Sequence, residues 1–158
     1  MAEIVIIMGS ESDRPHAEKI STALKAEGYA KPVGIHVASA HKQPRDVLKV
    51  LEKNAGRKVV YITIAGRSNA LSGFVAGNCD APVIACPPFS DKLDMLVNIN
   101  STLQMPSRVP VLTVLDPANA ALGAMRIIAL DDLDEQKKRD RQDGQVKQKS
   151  CEETSCAE

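Results

Sequence analysis

Five short apolar runs rich in β-branched residues, at positions 4–8, 33–37, 59–64, 82–85 and 111–115, constrain the fold of this chain more than any other feature. Each is the length of a strand. Several are continuously apolar, without the apolar/polar alternation of a half-exposed sheet, as expected for strands buried on both faces of a parallel sheet. The segments between them must then cover both faces. In residues 14–28, Ala17, Ile20, Ala23 and Leu24 recur at helical spacing and Gly28 stands as a stop. Residues 44–54 begin with Pro44 at a helix-start position and carry Val47, Leu48, Val50 and Leu51. Residues 70–77 and 117–130 are further helices, and 91–103 is another helical candidate. Alternating strands and helices predict an α/β fold, a three-layer α/β/α sandwich of flavodoxin-like order with a five-stranded parallel sheet. Ligands of such folds sit at the carboxyl ends of the strands.

At 158 residues the chain has room for one domain of ordinary size. The division expected is a single folded domain over residues 1–130 and a hydrophilic tail over 131–158, helical or disordered. After Leu133 the tail holds one large aliphatic residue, Val146. It carries nine acids and six bases, leaving fourteen bases and eleven acids in residues 1–130. The folded part is therefore mildly basic, which suits a small anionic ligand.

Charge and composition exclude other classes. Lys plus Arg and Asp plus Glu number twenty each, so no global field exists to hold a nucleic acid or an acidic membrane. Aromatic residues are only 3%, which removes the stacking platforms of single-strand binders. No apolar run approaches the roughly 20 residues of a membrane helix. The N-terminus lacks the basic region and apolar stretch of a secretory leader, so the expected location is cytoplasmic. Cys79, Cys86, Cys151 and Cys156 form no C-x-x-C pair and only three histidines accompany them, so free thiols and no metal are expected.

Three polar loops follow the first three strands. The first, Gly9-Ser10-Glu11-Ser12-Asp13-Arg14-Pro15, feeds a helix whose free amides, with Ser10 and Ser12, form a ready anion site, while Asp13 can accept from sugar hydroxyls. The competing reading is that Ser12 or Asp13 merely caps the helix. The second, Ser39-Ala40-His41-Lys42, places a side chain that titrates near neutral pH beside a cation able to neutralise phosphate or carboxylate. By itself it also reads as a solvated surface pair. The third, Gly66-Arg67-Ser68-Asn69, joins a glycine that admits close approach to three donors in a row. A plain turn with a helix cap would look the same. A fourth stretch, Cys86-Pro87-Pro88-Phe89, is rigid and could wall a pocket; Cys86 has no base near it in sequence and reads as structural. The three polar loops share one edge of the sheet, which favours a site there over three separate coincidences.

These loops, in this order, resemble the PurE family of purine biosynthesis. The signatures are Met-Gly-Ser-x-Ser-Asp at 8–13, Ser-Ala-His-Lys at 39–42 and Ala-Gly-Arg-Ser-Asn-Ala-Leu-Ser-Gly at 65–73, extended by Cys-Pro-Pro at 86–88 and Met-Pro-Ser at 105–107. Class I members, mutases of N5-carboxyaminoimidazole ribonucleotide, show Arg after the loop histidine and a second histidine in the third loop. Here Lys42 follows His41 and the third loop has Arg67-Ser68-Asn69. The chain is thus similar to class II, which carboxylates 5-aminoimidazole ribonucleotide (AIR) with carbon dioxide to 4-carboxy-AIR (CAIR). The resemblance implies His41 as proton shuttle, Ser10 and Lys42 near the 5′-phosphate, Asp13 on the ribose, and Ser39, Gly66 and Ser68 on the remaining substrate and carboxylate. It implies no biotin, metal or ATP, and a homo-octamer with sites at subunit junctions. The alternatives are class I mutase activity and a non-catalytic nucleotide-binding module. A flavodoxin is disfavoured because Tyr29, Tyr61, Phe74 and Phe89 are poorly placed to stack a flavin.

Overall fold

The structure, a computed structural model, describes residues 2–133 and 136–137. The chain runs β1 (Glu3–Met8), a 3-10 turn (Glu11–Asp13), α1 (Arg14–Ala26), β2 (Gly34–Val37), α2 (Pro44–Lys53), β3 (Val59–Ile64), α3 (Leu71–Ala76), β4 (Val83–Ala85), α4 (Lys92–Asn98), α5 (Asn100–Leu103) and β5 (Leu112–Thr113). A last helix, α6, occupies residues 117–133. All strand pairs are parallel and the sheet order is β2-β1-β3-β4-β5, the flavodoxin-like arrangement expected.

The continuous apolar runs are explained by where their alternate residues go. Ile4, Ile6, Met8, Val60, Ile62 and Ile64 pack with Ala17, Ile20 and Leu24 of α1 and Ala120, Ala121 and Ala124 of α6. Val5, Ile7, Val59 and Tyr61 pack instead with Val47 and Leu51 of α2 and Leu71 and Val75 of α3. Strands buried on both faces have no position for a polar residue facing water, and all six residues of β3 are buried. Each buried aliphatic side chain contributes about 1.5–3 kcal/mol, more than the tenths that intrinsic propensity supplies. Tertiary burial therefore sets these elements.

Local signals set the ends. Helix α1 stops where Gly28 adopts φ +86°, and the amides of Tyr29 and Gly28 donate to Leu24 O at 2.9 Å and Lys25 O at 3.1 Å. This is a Schellman closure, and its left-handed residue favours glycine. The Tyr29 hydroxyl accepts from the Ile4 amide at 2.9 Å, at a point on β1 where pairing with β2 has not yet begun.

Beyond shifts of one or two residues at other ends, three departures from the sequence reading have a physical cause. The fifth strand is only two residues, not five, because β4 offers three residues before Pro87 and Pro88, which have no amide to donate. The 91–103 helix is split at Ile99, where the Ser101 hydroxyl donates to Asn98 O at 2.8 Å and competes with the helical ladder. Helix α6 continues past residue 130, and Lys58 Nζ donates to Asp131 Oδ1 at 2.7 Å. The rest of the expected tail, apart from residues 136–137, lies outside the described residues, as do Cys151 and Cys156. Among the described residues no helix is long and apolar enough to cross a membrane.

Candidate active site

Parallel strands deliver their following loops to one edge, so the turns after β1, β2 and β3 meet there. They line one cleft of about 720 Å³ with the segment after β4. Ser10, Asp13, Ser39, His41, Lys42, Gly66 and Ser68 all border this cleft. It lies beside the junction of β1 and β3, where the strand order reverses direction.

The first loop is held to its neighbours by main-chain bonds: Gly9 N donates to Ile64 O at 2.8 Å and Ala38 N to Met8 O at 2.9 Å. Ser10, not Ser12 or Asp13, supplies the cap. Its Oγ accepts from the Ser12 amide at 3.2 Å and the Ser12 hydroxyl at 2.8 Å. Asp13 occupies the N-cap position of α1 but makes no side-chain capping bond. Its carboxylate borders the cleft, and burial, partly opposed by a hydrogen bond from the Ser10 backbone, raises its pKa. Glu11 and Arg14 pair with each other at the rim.

In the second loop Ser39 does the shaping. Its Oγ accepts from the Lys42 amide at 3.3 Å and its carbonyl from the Gln43 amide at 2.8 Å, closing a turn that lifts His41 and Lys42 into the cleft mouth. Both side chains are exposed. Pro44 then starts α2 and fixes where the turn ends.

The third loop approaches the fourth closely. A Cβ on Gly66 would stand 3.2 Å from Pro88 O, so glycine lets the two segments meet. Ser68 has φ +50°, a left-handed conformation uncommon outside glycine. Arg67 is exposed at the mouth, its Nε 4.0 Å from Asp94 Oδ1. Asn69 does not join the row of donors expected of it: it is 3% exposed and bonded inward.

Two polar groups of the cleft escaped the sequence reading. Ser90 and Asp94 border it, and the Ser90 amide donates to Asp94 Oδ2 at 2.9 Å. That bond, with help from the Ser90 hydroxyl, Asn98 and Arg67, holds the Asp94 carboxyl below the ordinary range. Ser90 and Asp94 follow β4 and so reach the same edge as the other three loops; the Ser-x-x-x-Asp spacing at 90–94 was the signal that could have found them. The cleft therefore carries His41, Lys42 and Arg67 against Asp13 and Asp94.

Cys86 is buried, and burial pushes its thiol up to about 12. In space it does have a basic neighbour, His16 Nε2 at 3.4 Å. Burial lowers the His16 pKa while it raises that of Cys86, so both shifts favour the neutral forms and oppose thiolate formation. Cys79 and Cys86 are free thiols. Among the described residues no group of three or more His, Cys, Asp or Glu is placed to hold a metal ion.

With this geometry in hand, similarity to known proteins is specific. The family model described as AIR carboxylase matches residues 3–149. The phosphoribosylaminoimidazole carboxylase of Archaeoglobus fulgidus is 47% identical over 128 residues, covering 81% of this chain and 69% of that protein. The protein of the same name from Treponema denticola is 48% identical over 131 residues, covering 82% and 80%. The crystal structure of Treponema denticola PurE superposes with a TM-score of 0.74 at 42% identity, over 90% of this chain and 93% of that one. A match over most of the folded chain, joined to the three loop motifs on one cleft, leads to one conclusion: the chain belongs to the AIR carboxylase family.

Proposed function

We propose that this protein interconverts AIR plus carbon dioxide and CAIR in purine biosynthesis, with His41 as the proton shuttle. The observation that carries the reading is the convergence of His41, Lys42, Asp13 and the third loop on a single cleft. Carbon 4 of AIR belongs to an enamine and is nucleophilic without a cofactor. Its electron pair forms a bond to the carbon of carbon dioxide, and one C–O pair moves to oxygen. Carbon 4 then bears both a hydrogen and a carboxylate. Removal of that proton returns the C–H pair to the ring and restores aromaticity, so one placed base suffices. In the reverse direction the same imidazole, protonated, returns the proton before carbon dioxide leaves.

The protein's own part is placement and exclusion of water. In this reading Ser10 and Lys42 hold the 5′-phosphate region, Asp13 the ribose hydroxyls, and Ser39, Gly66 and Ser68 the remaining substrate and carboxylate. The His41 side chain makes no hydrogen bond to the described residues, which leaves its ring available to the ligand. The first 130 residues form the catalytic domain, working as a cytoplasmic homo-octamer. A class II reaction is favoured by Lys42 and by the absence of a histidine in the third loop.

An ultraviolet assay of CAIR decarboxylation, with N5-carboxy-AIR conversion alongside, tests the reading. The wild type should consume CAIR and ignore N5-carboxy-AIR. His41→Asn should keep AIR binding and lose about 10²- to 10⁴-fold in turnover. Undiminished turnover in that variant would remove His41 from the chemistry, and rapid N5-carboxy-AIR conversion would make the protein a mutase.

A further inference from the structure

The third loop ends in a residue that faces the protein interior. Asn69 Nδ2 donates to Ser72 Oγ at 2.7 Å and to Thr102 Oγ1 at 3.1 Å, and its Oδ1 accepts from the Ser72 amide at 3.2 Å. Its own main-chain amide donates to Ser101 Oγ at 2.9 Å. Thr63 Oγ1 lies 3.0 Å from Ser72 Oγ and 3.3 Å from Ile84 O. One hydroxyl hydrogen cannot serve both, so Thr63 donates to the carbonyl and accepts from Ser72. The result is a directed chain from Asn69 through α3 and β3 to β4, with a second anchor on α5. Asn69, Ser72, Thr63 and Thr102 are all buried.

Nothing in this network faces the cleft, yet its end residue adjoins the segment that does. Ser68 keeps its left-handed φ of +50°, and its carbonyl accepts from the Ala70 amide at 2.8 Å. A conformation uncommon outside glycine persists only when its surroundings determine it. Here the surroundings are Asn69, held by side chain and main chain at once.

We infer that Asn69, anchored by Thr102, is a positioning residue that sets the Gly66–Ser68 turn against the reacting end of the substrate. The inference rests on the reading of the cleft given above. A polar network with all its members paired specifies one geometry, because any displacement leaves a buried group unpaired. A misplacement of about 1 Å in a group that orients substrate can slow a reaction about a hundredfold. Affinity for the phosphate and ribose, carried by the first two loops, should be spared.

The test is steady-state CAIR decarboxylation by the full chain with Thr102→Val, Thr102→Ser and Asn69→Ala. Thr102→Val removes one acceptor at nearly constant volume and should lower kcat about tenfold with KM within about threefold; Asn69→Ala should lower kcat about a hundredfold. Thr102→Ser keeps the hydroxyl and should restore kcat to within about threefold of wild type. A merely structural role would lower the melting temperature and the active fraction but leave kcat per folded site unchanged. Wild-type kcat in Thr102→Val, or a loss that serine does not rescue, overturns the inference, and this pair decides it even if Asn69→Ala does not fold. If the wild type itself does not turn over CAIR, the proposed function falls and amide hydrogen exchange decides the positioning role. Faster exchange at residues 66–70 in Thr102→Val, with 59–64 unchanged, would then support it, and equal exchange would overturn it.

Discussion

Asp13→Asn separates the two uses a carboxylate at a helix start can have. Were Asp13 a cap, the amide would replace it with little effect on either stability or substrate. In the structure its carboxylate makes no capping bond and sits in the cleft wall, partly buried. Two terms in stability oppose each other. Losing the negative charge at the N-terminus of α1 removes about 0.3–1 kcal/mol of interaction with the helix dipole. Losing an ionised group that burial disfavours gives some of this back, so the net change should lie within about 1 kcal/mol. The pH dependence has a definite sign. Burial raises the folded-state pKa, so at low pH, where both states are protonated, this group carries no penalty. The penalty develops as pH rises through the folded pKa, because the unfolded chain has already released its proton. The asparagine variant should therefore gain on wild type between strongly acidic and neutral pH.

Substrate binding should respond differently. A hydrogen bond to a charged acceptor contributes about 1.5–3 kcal/mol and a neutral one about 0.5–1.5. The substitution should thus weaken a sugar-hydroxyl contact by about 1–2 kcal/mol, or roughly 5- to 30-fold in kcat/KM. The loss should fall on KM, since the ribose lies away from the reacting carbon. CAIR decarboxylation kinetics and urea unfolding at pH 7 measure both quantities. A KM within twofold of wild type, with a stability loss well above 1 kcal/mol, would show that the carboxylate serves the helix and not the ligand.

Gly66→Ala places a methyl 3.2 Å from Pro88 O, a main-chain atom in a proline-rich segment with little freedom to retreat. The expected cost is about 1–3 kcal/mol of stability, read by urea unfolding, with at least about tenfold lower kcat/KM; wild-type kinetics would mean that the third loop does not contact substrate. His16 and His36 are both held below the ordinary histidine pKa, first by burial and then by the nearby Lys19 and Lys53 respectively. As pH falls through the ordinary histidine range the unfolded chain binds protons that the native state does not, so stability should fall from pH 7.5 to pH 5.5. His36→Gln should flatten part of that slope in urea unfolding, and an identical slope in the variant would refute the assignment.

The strands and most helices were legible because their signals are local. A strand-length continuous apolar run rich in β-branched residues fits a sheet covered on both faces, Gly28 marks a helix end through its freedom to take positive φ, and Pro44 marks a helix start through its fixed φ. The cleft was legible for a related reason: in a parallel sheet every strand's following loop arrives at the same edge, which groups Ser10, Asp13, His41, Lys42, Gly66 and Ser68, while Ser39 was marked only by the family resemblance. The split at Ile99 and the short β5 were not legible, since each depends on a competing bond or on the length of a neighbouring strand.

Sequence by itself determined the layer order, the edge where the three polar loops meet and the family, all of which follow from local patterns and their order along the chain. Tertiary structure alone decided the assignments that depend on residues distant in the chain. It turned Asn69 inward to Thr102, brought Asp94 to Arg67, and set His16 beside Cys86 without activating it. Burial and unpaired polar groups carry most of the free energy at such positions, and both are properties of the packed neighbours, which no single stretch of sequence contains.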